Sequence, residues 1–299
     1  MENESPPGRR GLIGPYGGVL VDLVLRQEEL DRAREEAARA PAVTLDEVEL
    51  CDLELLATGG FSPLRGFMGR SDYERVLEEM RLADGTLWPL PIVLQAPPDL
   101  DVRPGSPVAL RDAKGNILAL LDVDDVFHAD IEAERARICG GSDEHPWMAV
   151  LRSRNARRLG GRLRVLALPV HHDFAQLRRT PAQTRAMLSE LGWRDVAAFQ
   201  TRNPLHRAHE ELIRRAATQC DGVLVHPVTG VTRPGDIDHY TRIRCYQAAM
   251  KYLDPRRTAL SLLPRAMRMA GPREALLHAI VRRNYGASAL VVGRDHAGP

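Results

Sequence analysis

The chain has 299 residues, of which 44% are hydrophobic and 27% charged, with a formal net charge of +1. That length suits two domains with cores of their own, and the composition excludes a disordered or fibrous chain. A near-neutral balance also excludes a global basic field for nucleic acid or an anionic membrane, so any anion site must be built locally.

Residues 1–20 are polar and rich in Gly and Pro, and read as a mobile lead-in that becomes ordered by about Val19. No stretch approaches the roughly 20 apolar residues of a membrane span, and no apolar leader opens the chain. From 20 to about 168 the pattern is mixed. Charges at helical spacing mark a helix over 25–40, and a second over 71–83 opens on Ser71 as its expected cap. Short β-like runs surround them at 90–96, 107–128 and 159–170. The middle run reads as a hairpin turning at Lys114-Gly115-Asn116. This is the profile of an α+β or small-barrel domain.

After about Pro169 strands and helices alternate. Strands are expected at 195–200, 223–228, 258–264 and 288–293, with helices over 204–219, 236–253 and 271–285 between them. Such spacing implies right-handed crossovers and a parallel sheet, whose ligands sit beyond the carboxyl ends of the strands. The fold class is therefore α/β, divided at 168/169. The four cysteines, at 51, 139, 220 and 245, form no C-x-x-C pair and read as reduced thiols in a cytoplasmic protein.

Two stretches carry chemistry. FQTRNPLHRAHEEL (199–212) joins a strand to a helix through an Arg-Asn-Pro corner. Asn203 is the expected N-cap and Pro204 the first helical residue, with His206 and His209 neighbours in the opening turns. Arg202 adds a forked donor beside free helix N–H groups, a plausible phosphate or oxyanion cradle. The same pattern also fits a capped helix with incidental histidines, since His209 shares an apolar face with Leu205, Leu212, Ile213 and Ala216. A zinc site is the weaker reading, because no Glu stands where a metalloprotease helix needs one. VVGRDHAGP (291–299) again runs a strand into Gly, a charged cluster and His. Its alternative is a plain turn at a strand end. Between them, HPVTGVTRPGDID (226–238) is a loop with Arg233 and Asp236, and Pro264, Gly271 and Pro272 punctuate a further helix start. Walker-type P-loop, G-x-S-x-G and G-x-G-x-x-G motifs are all missing. Lysine occurs only at 114 and 251, so phosphate handling falls to Arg, His and backbone N–H groups.

Taken together, FQTRNPLHRAHEEL, HPVTG-x-TRPGDI, MAGPREALLHAIVRRNYG and VVGRDHAGP resemble the ATP sulfurylase (sulfate adenylyltransferase) family. GGFSPLRGFMG (59–69) and DEHPWM (143–148) extend the likeness to the first half, from about residue 40 to the last. The resemblance implies a PUA-like β-rich domain over 1–168. A Rossmann-like nucleotidyltransferase domain follows over 169–299, incomplete at its C-terminus because family members continue for about another hundred residues. It implies ATP and sulfate as substrates, Mg²⁺ accompanying the ATP, and adenosine 5′-phosphosulfate and pyrophosphate as products. By motif, Thr201, Arg202, Asn203, His206 and His209 match catalytic positions. Gln200, Arg202, Asn203, His206, His209, Gly293, Arg294, Asp295 and His296 match ATP-binding ones, and Gln200, Arg202 and Ala297 match sulfate-binding ones. No protein-held metal, nucleic acid or membrane is implied, and a homo-oligomer is expected. The competing readings are a nucleotidyltransferase for another oxyanion and an inactive remnant serving as a binding module.

Overall fold

The computed structural model describes residues 11–232 and 235–299. The first half opens with α1 (Gln27–Arg39), β1 (Ala42–Thr44) and α2 (Glu47–Thr58). Then come β2 (Gly66–Phe67), α3 (Arg70–Glu79), β3 (Leu94–Gln95), β4 (Pro107–Arg111) and β5 (Ile117–His128), followed by α4 (Ile131–Ile138), α5 (Pro146–Ser153) and β6 (Arg157–Val165). The sheet has six strands in the order β1-β4-β5-β6-β2, with β3 also on β6, and only β1–β4 is parallel. The β4–β5 hairpin turns where the sequence places it. Gly115 takes φ 85° and the Asp112 carboxylate accepts N–H groups of Lys114 and Asn116.

Two expectations fail here. Ser71 lies inside α3, whose N-cap is Gly69, and the Arg70 N–H is taken instead by the Asp125 carboxylate at 2.8 Å. A partner 55 residues away replaces a local cap. Of the 1–20 lead-in, residues 1–10 lie outside the described residues, and the part from residue 11 on is tied down before Val19. The carbonyl of Ile13 accepts from Arg185 at 2.6 Å, that of Gly14 from Arg283 at 3.0 Å, and the Tyr16 N–H donates to Asn284 at 2.8 Å.

The second half comprises α6 (Pro181–Glu190), β7 (Val196–Phe199), α7 (Arg207–Ala217), β8 (Gly222–Val225), α8 (His239–Met250), β9 (Thr258–Leu260), α9 (Pro272–Asn284) and β10 (Ala289–Val291). The strands form one parallel sheet, β10-β7-β8-β9. β7 and β8 are buried along their whole length, as their continuous apolar runs require. In this order β7 lies between β10 and β8, the arrangement that opens a crevice at the carboxyl ends of neighbouring strands.

A single hydrophobic cluster runs through both halves, joining Leu53, Phe61 and Trp88 to Leu224, Leu277 and Val281. α9 is the seam. Its Arg273 guanidinium donates to the carbonyls of Val76 (3.0 Å) and Leu77 (2.8 Å), and Asn284 Nδ2 donates to those of Gly60 (2.9 Å) and Ser62 (3.1 Å). Just before it, buried Arg268 pairs with buried Asp52 of α2 at 2.5 Å.

Candidate active site at the carboxyl ends of the parallel sheet

A cavity of about 350 Å³ lies where β7 and β10 end. Gln200, Thr201, Arg202, Asn203 and His209 line one wall, and Gly293, Asp295, His296 and Ala297 the other. Phe199, Leu212, Met267, Val291 and Val292 supply the apolar part. The two sequence stretches that carried the chemistry thus meet across one space. The parallel pairing of β7 with β10, with Phe199 beside Val291, brings their exits together.

The corner itself differs from expectation. α7 begins at Arg207, so Asn203 and Pro204 are not its cap and first residue; His206 is the N-cap, and its side chain makes no capping hydrogen bond. The reason lies on α8. Arg242, buried, donates to the Arg202 carbonyl at 3.1 Å. The Tyr246 hydroxyl donates to the carbonyls of Thr201 (2.6 Å) and Asn203 (3.0 Å). Holding these carbonyls in a bent loop keeps residues 201–206 out of the helix. α2, α4, α6 and α8 have their first turns capped by Asp46, Asp130, Thr180 and Asp238. α7 instead leaves its opening N–H groups without a side-chain cap, an arrangement that suits an anion.

His206 and His209 stack with ring centroids 3.8 Å apart. His209 lines the cavity and His206 sits exposed behind it. Burial, then the neighbouring His206, lowers the His209 pKa below its ordinary value, while the Pro204 carbonyl pulls the other way. Arg202 reaches Asp236 at 3.8 Å and the Met269 sulfur at 3.7 Å. Arg294 is exposed and is not among the lining residues, unlike its neighbours Gly293 and Asp295. Arg233, singled out in the same loop as Asp236, lies outside the described residues.

Behind the cavity is a layer the sequence did not disclose. Gln200 is buried, and its Oε1 accepts from Arg282 of α9; Arg282 also donates to the His226 carbonyl at 3.2 Å. His296 Nε2 lies 3.0 Å from His278 Nδ1, also on α9. Met267 and Met269 carry their sulfurs against Gln200 and Arg202. The signal available was the spacing of Glu274, His278 and Arg282, four residues apart in a helix otherwise read as ordinary.

Comparison with known proteins now adds to this geometry. Residues 13–168 match the family model of a PUA-like domain and residues 175–299 that of ATP-sulfurylase. The chain is 49% identical over 293 residues to a sulfate adenylyltransferase of Emericella nidulans and 48% identical to one of Aspergillus terreus. Each match covers 95% of this chain and 51% of the relative. A solved structure titled as a hexameric APS kinase from Thiobacillus denitrificans superposes with a TM-score of 0.81 at 37% identity, covering 95% of this chain and 53% of that one. The fold and cavity define an α/β protein with a polar-walled cavity at the carboxyl ends of its parallel strands, joined to a PUA-like domain. Residues 175–299 belong to the ATP sulfurylase family, and residues 13–168 to the PUA-like domain family. It spans about half the length of the curated relatives it matches.

Proposed function

We propose that this chain carries the sulfate-activating site of a sulfate adenylyltransferase, which joins ATP and sulfate into adenosine 5′-phosphosulfate and pyrophosphate. The observation that carries the reading is that Gln200, Arg202, Asn203 and His209, the last in the uncapped first turn of α7, face Gly293, Asp295, His296 and Ala297 across one cavity. Sulfate is a poor nucleophile and already ionised. The site therefore needs no general base; it must hold sulfate in line with the α-phosphorus and the departing pyrophosphate. Arg202 and the α7 N–H groups offset the repulsion between two anions. Charge that grows on pyrophosphate as it leaves is met by His209, with His206 stacked against it as its partner, and Thr201 and Asn203 shape the bend before them. Gly293, Arg294, Asp295 and His296 are assigned to the nucleotide, and Gln200, Arg202 and Ala297 to sulfate.

Mg²⁺ belongs to this reading as part of the nucleotide. Among the described residues no group of three or more His, Cys, Asp or Glu side chains is arranged to hold a metal ion. In this reading the ion comes in on the triphosphate, where it would screen the phosphate charge. We draw the division between the PUA-like and catalytic parts at 168/169, in support of which the antiparallel sheet ends at Val165 and the first parallel strand begins at Val196. Among the described residues no helix is long and apolar enough to cross a membrane, and the four cysteines are unpaired, in keeping with a cytoplasmic address. The hexamer named for the Thiobacillus protein supports a homo-oligomer here too, to be measured by light scattering.

The test is incubation of the chain with ATP, Mg²⁺, sulfate and pyrophosphatase, following phosphate release, with ATP and sulfate binding measured calorimetrically. Sulfate-dependent release is expected, and Arg202→Ala should lower it about 100-fold. A wild-type chain that shows no release and binds no ATP would overturn the reading. Preference for molybdate or selenate over sulfate would move the assignment to another oxyanion.

A further inference from the structure

Glu274, His278 and Arg282 follow one another at four-residue spacing and so form one stripe along α9. All three are buried, with relative exposures of 0%, 0% and 1%. Burying three such groups in a row is costly, and each is matched to a different segment of the cavity wall. Glu274 accepts the Arg265 guanidinium at 2.5 Å and the N–H groups of Arg268 (2.8 Å) and Ala270 (3.2 Å). His278 meets His296, and Arg282 meets Gln200.

The chemistry of the partners settles which atom donates. A guanidinium has donors only, so the Gln200 atom it meets is the amide oxygen. The Gln200 NH₂ then turns away, with only the Met267 sulfur, a weak acceptor, 3.9 Å off. Around His278, burial alone would raise the Glu274 carboxyl, but Arg265 first and His278 next hold it far below the usual carboxylate range. It is ionised, and His278 Nε2 lies 3.6 Å from its Oε1. A lone pair on Nε2 would be repelled there, so the His278 proton sits on Nε2. Burial, then the Arg282 charge, keeps His278 neutral. Its Nδ1 is therefore an acceptor, and the hydrogen bond to His296 takes its proton from His296 Nε2.

We propose that His278 and Arg282 are positioning residues that fix the hydrogen-bonding sense of the cavity. His278 holds His296 as the Nε2–H tautomer, leaving Nδ1 as its remaining acceptor for the nucleotide, and Arg282 turns the Gln200 amide N–H groups toward the oxyanion. Neither touches a ligand. The assignment of ligands rests on the reading of the cavity as an ATP and sulfate site; the proton positions do not.

The test begins with long-range ¹H–¹⁵N spectra of the imidazoles in the wild-type chain. His278 and His296 are both expected as Nε2–H tautomers, and a His296 Nδ1–H tautomer overturns the proposal even if no variant folds. His278→Asn keeps an acceptor near the Nδ1 position and should bind Mg²⁺·ATP within about threefold of wild type. His278→Leu removes it and should lose about tenfold or more. Folded His278→Leu that binds as wild type does would sink the His278 half. Gln200→Glu pairs with Arg282 but offers only acceptors, so it should melt no lower than wild type while sulfate affinity falls at least tenfold. Unchanged sulfate affinity in that variant would sink the Arg282 half. If wild type binds neither ligand, the cavity assignment fails while the tautomers still decide the geometry.

Discussion

At the scale of single residues, His209 is the group whose state should change most on binding. Burial and the adjacent His206 depress its pKa, so near neutral pH the free site holds it uncharged. A phosphate anion beside it favours the imidazolium and raises that pKa. Binding then takes up a proton, and affinity for Mg²⁺·ATP should strengthen as pH falls from about 7 to about 6. The check is an NMR titration of the His209 ring with and without nucleotide; a pKa unmoved or lowered by ligand would contradict the assignment. At this scale the sequence was legible wherever residues sit on a strand exit. Gln200 to Asn203, and Gly293, Asp295, His296 and Ala297, reach the cavity because β7 and β10 pair in parallel. Asn203 as a cap was misread because the contacts that bend the corner come from Arg242 and Tyr246, some 40 positions later. No local pattern announces them.

At the scale of elements, the bend from β7 to α7 depends on one hydroxyl that serves two carbonyls. Tyr246→Phe keeps the ring in its buried place and leaves the carbonyls of Thr201 and Asn203 without that donor. The expected cost is about 1–3 kcal/mol of stability. Oxyanion affinity should drop as well, because residues 201–206 are then free to extend α7 backwards and Asn203 can cap it. Chemical denaturation with parallel sulfate titration measures both, and a variant with unaltered affinity would show that the bend has another cause. Periodicity placed the hairpin, α1 and the alternating strands and helices of the second half, since each of these depends on its own residues. It placed the ends of α3 and α7 wrongly, since Asp125 and Tyr246 set them from elsewhere in the chain.

At the scale of the whole molecule, buried histidines make stability depend on pH. His226 and His278 are pushed well below their ordinary pKa by burial and then by Arg282, and His209 and His296 are lowered too. For each, the unfolded chain binds the proton more readily. The stability that neutrality supports is thus complete above about 6.5 and lost as pH falls toward the depressed folded values. Glu49, raised to about 6 by burial, works in the opposite sense but only from about pH 6 downward. The thermal midpoint should therefore fall between pH 7.5 and 6 at constant ionic strength, and a flat or rising profile would refute this balance. None of it was visible in the sequence, where Arg265, Arg268 and Arg282 look like surface charges beside an ordinary helix. Arg268 and Arg265 are buried against the first half of the chain, at Asp52 and over the Phe61 ring, and Arg282 is buried against Gln200 and the His226 carbonyl.

That covering has a consequence for modularity. The two family models meet at a boundary that invites cutting, grafting or recombination between them. Yet α9 spends one side on the first half, through Arg273 and Asn284, and the other on the cavity, through His278 and Arg282. A transplanted second half would arrive with Arg268 deprived of Asp52 and the Leu277 face of α9 bare. Recombination at this boundary should yield working chimeras only when the donor's α2, and its residues 59–62 and 76–89, travel along as a set. The heritable unit is the pair, although the profile of the chain reads as two.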